Sequence, residues 1–198
     1  FIIGRLYRYV TLILNMKPNE HEYKLMGLAP YSKSEYSEQV YEIFSKYQKV
    51  EGFNFVDLDR PKDLFFSVRK DLEGHRFDAI AGGLQLFTER LISEWVAKLV
   101  QATQPDSICI GGGVALNVKC NSVLSKKLQI KEIRIPPTPD DSSQAMGAIY
   151  ASEFNRVQRK SSPENLPNFE KITTKSFKSL KNYYLGNSFD DFNAQNLS

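Results

Sequence analysis

The chain has 198 residues, 41% of them hydrophobic, enough to core one globular domain or slightly more, which excludes disorder of the chain as a whole. Its 26 basic and 23 acidic residues leave a net charge of +3 spread along the sequence, so composition gives no reason to expect nucleic acid. Two cysteines cannot staple a chain of this size, and Cys109, inside an apolar run, is expected to be a small buried hydrophobe in a reducing compartment.

The opening segment reads as an amphipathic helix, with Ile2, Ile3, Leu6, Val10 and Ile13 at helical spacing and Arg5, Arg8 and Thr11 between them. Those charges, and the lack of a small-residue cleavage site, argue against a membrane span or a leader over residues 1–16. A soluble chain is expected, and its start at Phe1, directly in patterned sequence, points to a missing upstream portion. Residues 17–21 form a polar turn around Pro18 and Asn19, and the compact segment Glu22 to Tyr31 is stopped by Pro30. Residues 35–48 look helical on Tyr36, Val40, Ile43 and Phe44, whereas 51–70 read as strand and loop.

From Phe77 to Val100 a long helix is expected, its face traced by Ile80, Leu84, Phe87, Leu91, Trp95 and Leu99. The pair Gly82-Gly83 costs such a helix roughly 1 kcal/mol per glycine, which close packing against another backbone would explain. Next come a strand at 107–110, the turn Gly111-Gly112-Gly113, a helix at 114–127, a strand at 131–135, a proline-rich loop and a helix at 143–154. Strand, helix, strand and helix with these crossovers predict a parallel pair in an α/β sheet. Beyond Asn155 the sequence turns to Lys, Ser, Pro and Asn and reads as a linker.

The triple glycine stands at a strand-to-helix junction, where unpaired N–H groups and the positive end of the helix dipole can meet an anion or a nucleotide. Its spacing matches neither the dinucleotide fingerprint nor the P-loop, so the residues alone leave open a ligand site or a tight turn. Asn117 and Asn121, one turn apart, either offer amide hydrogen bonds to a ligand over the glycines or face solvent. Asp140 and Asp141 either cap the following helix, which local pattern favours, or reach a divalent metal. His21 reads as a surface turn residue, and no spacing of His and Cys supports a complete metal site.

Five ordered blocks then stand out together. Gly4, Tyr7 and Thr11 form the first, Glu22 to Tyr31 the second, Gln85 and Glu89 the third, Gly112 to Asn117 with Asn121 the fourth, and Pro137, Asp141, Gly147 and Ala148 the fifth. In this order over residues 1–150 they resemble the O-carbamoyltransferase family of the nodulation protein NodU and the antibiotic carbamoyltransferases. The resemblance implies an α/β fold, an actin-like ATPase (ribonuclease H-like) half-domain with a mixed sheet flanked by helices. Residues 1–155 would be the carboxy-terminal half of that actin-like domain and 156–183 a linker. Residues 184–198, opening with Tyr184-Leu185-Gly186, would begin a YrdC-like region.

By the same resemblance the whole protein would be a cytoplasmic transferase using ATP and carbamoyl phosphate. It would form carbamoyl-adenylate and pass the carbamoyl group to a hydroxyl of a small-molecule or glycan acceptor. Gly111, Gly112, Gly113, Asn117 and Asn121 would hold the adenylate, and Lys24 would steady phosphate charge unless it is simply a helix-surface lysine. Asp141 would be one ligand of a divalent metal, Fe2+ or Mg2+, and no catalytic residue is assigned. Asp140 stands where the family usually has a small residue and would be the solvent-facing one of the two. The family's histidine pair lies in the upstream half, and Ser32 and Ser143 stand where it usually has glycine. The chain alone is therefore expected to be inactive, its partners being the amino-terminal half and the YrdC-like region of the same protein, with a homodimer left open and neither membrane nor nucleic acid expected. Two other readings compete: a transferase resembling the tRNA threonylcarbamoyl enzymes, and a non-catalytic interaction module on the same half-fold.

Overall fold

The computed structural model describes residues 2–128 and 130–160. They divide into two units, the first ending at Ser143 and the second starting at Gln144. In chain order the first unit contains helix α1 (Ile3–Ile13), α2 (Glu22–Leu28), a 3-10 turn (Ala29–Tyr31) and α3 (Ser34–Ser45). A hairpin of β1 (Gln48–Glu51) and β2 (Asn54–Asp57) follows, then α4 (Leu64–Asp71) and the 27-residue α5 (Phe77–Thr103). Strand β3 (Ser107–Cys109), a 3-10 turn (Gly113–Leu116), α6 (Val118–Lys127), β4 (Glu132–Arg134) and a last 3-10 turn (Asp141–Ser143) complete it. The second unit contributes α7 (Gln144–Lys160).

Helix α5 is the axis of the first unit, packed against α1, α2, α3 and α6. Ile80, Leu84, Phe87 and Leu91 are buried along it as their spacing predicts, and Ile3, Leu6 and Val10 of α1 join the same core. Each such side chain withdrawn from water contributes about 1.5–3 kcal/mol. The price in helix propensity at Gly82 and Gly83 has a visible cause. A Cβ on Gly83 would lie 2.5 Å from Val40 Cβ and 2.9 Å from the backbone nitrogen of Tyr41, and one on Gly82 would collide with Ser37 Oγ. The two glycines let α3 and the turn before it approach the backbone of α5.

Several expectations change. The segment expected as strand and loop resolves into the hairpin, which turns at Gly52 with φ +57°, and into α4. Asp63 starts α4 by accepting a hydrogen bond from the Phe66 N–H at 3.1 Å, a cap hidden in the sequence by the proline just upstream. The parallel pair forms as predicted, with Ser107 opposite Glu132 and Cys109 opposite Arg134. The mixed sheet does not: among the described residues the antiparallel hairpin and the parallel pair are separate two-stranded sheets. Cys109 is exposed, because it lies on an open face of this narrow sheet, and Cys120 is the buried cysteine.

The helix expected from Val114 begins at Val118, after a separate 3-10 turn. Helix α7 continues to Lys160, past the expected start of the linker, with Arg156 and Glu153 paired one turn apart. The rest of the expected linker and the expected YrdC-like segment lie outside the described residues. Among the described residues no helix is long and apolar enough to cross a membrane.

Candidate functional site

The polar centre of the first unit is built by three helices. Tyr7 on α1, Gln85 on α5 and Asn117 at the start of α6 are each buried. The Tyr7 hydroxyl donates to Gln85 Oε1 at 2.7 Å and accepts from Asn117 Nδ2 at 2.9 Å. Asn117 Nδ2 also donates to Gln85 Oε1 at 2.9 Å, while Gln85 Nε2 donates to Asn117 Oδ1 at 3.1 Å and to Glu89 Oε1 at 2.7 Å. Asn117 Oδ1 takes one more bond, from the Cys120 N–H at 2.9 Å, and so caps α6.

Buried polar groups are tolerable when paired, and here both amides and the phenol have spent their donors and acceptors on one another, on Glu89 and on the Cys120 N–H. Burial pushes the Tyr7 phenol well above its ordinary value and the Cys120 thiol up to about 12, so both stay neutral in the core.

From the sequence, Asn117 either meets a ligand over the glycines or faces solvent from a helix face; the structure makes it the N-cap, its amide occupied by Tyr7, Gln85 and Cys120. The cause is the break between the 3-10 turn and α6, which leaves first-turn N–H groups for a side chain to satisfy. Asn121, one helical turn on, donates from Nδ2 to the Ala115 carbonyl at 2.7 Å and ties α6 back to the same turn.

The glycine turn leads into this junction. Gly111, Gly112 and Gly113 are exposed, and a Cβ built on any of them meets nothing within 4 Å. Gly112 has φ +97°, a backbone conformation that other residues rarely adopt, and its N–H donates to the Pro139 carbonyl at 2.6 Å. That bond brings the proline-rich loop against the turn, so Asp140 and Asp141 come from the neighbouring segment, as the sequence order strand, turn, helix, strand, loop implies.

Within the loop the two acids differ. Asp140 is half-buried and caps the last 3-10 turn, its Oδ1 accepting from the Ser142 N–H at 3.1 Å and also from the Ser142 hydroxyl. Those bonds hold its carboxyl below the usual carboxylate range. Asp141 is the exposed one, the reverse of the expectation that Asp140 faces solvent. Among the described residues no three His, Cys, Asp or Glu side chains gather as a metal site. The donors present do not by themselves hold an ion.

Lys24 is exposed on α2, its ammonium 5.9 Å from the centre of the Tyr23 ring. His21 lies in the turn before α2, its Nδ1 accepting from the Lys17 N–H at 3.1 Å, as a turn residue should. An open pocket of about 260 Å³ that sequence reasoning missed lies beside the buried network, lined by Ser32, Ser34, Ser37, Glu38, Glu89 and Lys119 among others. Its signal was faint: Gln85 and Glu89 are polar residues four apart on a helix that is otherwise largely apolar.

Residues 1–150 match the family model described as carbamoyltransferase N-terminus. An uncharacterized protein of Synechocystis sp. is 31% identical over 165 residues, covering 75% of this chain and 27% of its own length. The nodulation protein NolO of Bradyrhizobium diazoefficiens is 29% identical over 142 residues, 68% of this chain and 26% of its own. A nodulation protein U of Azorhizobium caulinodans is 38% identical over 109 residues, 54% of this chain and 20% of its own. The chain thus spans about a quarter of the length of the curated relatives it matches. With a matching model across three-quarters of its residues, the chain belongs to the carbamoyltransferase family.

Proposed function

We infer that this chain is part of an O-carbamoyltransferase, and that its glycine turn is where the protein holds an adenylate. What supports the reading most is the turn itself: three exposed glycines with open space above them, one at positive φ, leading straight into a 3-10 turn and a capped helix. The Gly112 N–H is spent on Pro139 and the Cys120 N–H on Asn117, so a negatively charged ligand would meet the other backbone N–H groups of the junction, and a side chain there would hold it off. Gly111 and Gly113 supply contact surface, Gly112 the conformation, and Asn121 steadies the Ala115 carbonyl behind them.

In the reaction proposed, carbamoyl phosphate is hydrolysed to carbamate and inorganic phosphate, and a carbamate oxygen then bonds to the α-phosphorus of ATP as the bond to the β-phosphate breaks, giving carbamoyl-adenylate and pyrophosphate. An acceptor hydroxyl oxygen then bonds to the carbamoyl carbon, the bond to the AMP phosphate oxygen breaks, and the hydroxyl proton is released. The chain's contribution is to bind and orient the adenylate. The rest of the nucleotide clamp, within an actin-like architecture, and the proton acceptor come from outside the described residues. Lys24 is a weaker contributor to phosphate charge, being exposed on the surface of α2. Asp141 is the one carboxylate this chain would lend to a divalent metal, Fe2+ or Mg2+, whose other ligands would likewise come from elsewhere.

The test is calorimetric titration of ATP into the whole protein carrying Gly113→Val. Because a Cβ at Gly113 meets nothing, the variant is expected to fold, and ATP binding is expected to be lost. Unchanged affinity in the folded variant would refute the assignment, and absence of ATP binding by the unaltered protein would favour a non-catalytic module.

A further inference from the structure

The buried network does more than satisfy itself, because it has a direction. Glu89, as a carboxylate, can only accept, so it selects the Nε2 end of Gln85, to which it lies 2.7 Å away. That choice turns Gln85 Oε1 toward Tyr7 and Asn117 Nδ2, at 2.7 and 2.9 Å. Asn117 must then present Oδ1 to the Cys120 N–H, which is the orientation that caps α6. A flipped amide would set Nδ2 against that N–H, donor against donor.

Between Asn117 and Gly113 stand only Val114, Ala115 and Leu116, the rest of the 3-10 turn, which is closed by bonds from the Ala115 N–H to the Gly112 carbonyl at 2.9 Å and from the Asn117 N–H to the Val114 carbonyl at 3.0 Å. The turn is thus held at one end by Pro139 and at the other by Asn117.

Resting on the adenylate reading above, we propose that Tyr7 and Gln85 are positioning residues that set the glycine turn for its ligand by fixing the orientation of Asn117. They need no contact with the ligand, and the Glu89 carboxylate, which lines the neighbouring pocket, fixes the polarity of the relay.

Tyr7→Phe removes the hydroxyl but leaves the Gln85–Asn117 bonds, so the protein is expected to fold; Gln85→Met, of similar size, removes the relay's centre. In the whole protein, each is measured for ATP affinity and for hydrogen exchange of the backbone amides of residues 113–121. Tyr7→Phe is expected to weaken ATP binding about five- to tenfold, with exchange accelerated at 113–121 and unchanged along α3 and α5; Gln85→Met should do both more strongly. Unaltered ATP affinity in either folded variant overturns the proposal, as does acceleration spread evenly through the core, which marks a merely structural role. If the unaltered protein binds no ATP, the adenylate reading fails first, and exchange alone decides: local acceleration retains the positioning of the turn, and none removes it.

Discussion

Two glycine clusters in this chain sit in opposite surroundings. Gly82 and Gly83 are buried, and any Cβ there strikes Ser37, Val40 or the Tyr41 backbone; Gly111 to Gly113 are exposed, and a Cβ there meets nothing. Both clusters look alike in sequence. The first exists so that two helices can touch, and its function is spent inside the fold. The second costs conformational entropy although no neighbour would be struck by a Cβ, and only at Gly112, with φ +97°, does backbone geometry require glycine. Empty space alone is not the mark of a ligand site, since Gly27 and Gly52 have it too; what sets Gly111 to Gly113 apart is three open glycines in a row between β3 and α6.

The largest effect that could break this contrast is on stability. Gly83→Val should destabilise by about 3 kcal/mol, since Val40 is β-branched and the Tyr41 nitrogen is backbone, so neither can give way cheaply. Denaturant unfolding checks it; a loss below that of an ordinary surface substitution would mean that α3 and α5 are not as close as described.

Next comes the pair of acids in the loop held against the open cluster. Asp141→Asn is expected to lower the metal content and transfer rate of the whole protein together, while Asp140→Asn should weaken only the local cap, by about 1 kcal/mol or less. Elemental analysis of the two purified variants decides between them, and metal lost from the Asp140 variant alone would reverse the assignment.

The cysteines offer a third, chemical test. Cys109 is exposed and Cys120 buried, so a thiol reagent should label Cys109 in the native protein and Cys120 only on unfolding. Because burial raises the Cys120 thiol from 9.0 to about 12, its contribution to stability is complete below pH 9 and is lost as pH rises from 9 toward 12. Stability measured against pH should fall in that window, and less steeply in Cys120→Ala. The smallest effect expected is a gain: Gly27, inside α2 with open space, should stabilise by about 0.5–1 kcal/mol when changed to Ala.

What was legible in the sequence follows from how local each signal is. The apolar stripes of α1 and α5 and the parallel β3–β4 pair depend on spacing within one segment, and they stand where spacing puts them. Helix α4 was hidden because its capping signal is a single Asp63 after Pro61, in a stretch whose aromatics also suit a strand. The break before α6 was hidden for another reason: Asn117 gains more by capping, and by meeting Tyr7 and Gln85 from distant helices, than by continuing a helix from Val114. No local pattern reports a bond between residues 110 positions apart. Cys109 was misplaced because an apolar run says nothing of how many strands will cover it.

The most direct test places the same substitution in each cluster and reads two quantities. Gly83→Val and Gly113→Val are made in the whole protein, and melting temperature and ATP affinity are measured for both. Gly83→Val is expected to melt lower yet bind ATP normally while folded, and Gly113→Val to melt as the unaltered protein does and no longer bind ATP. A stable Gly113→Val protein that binds ATP as tightly as the original contradicts the claim that the open glycine turn is the nucleotide's seat.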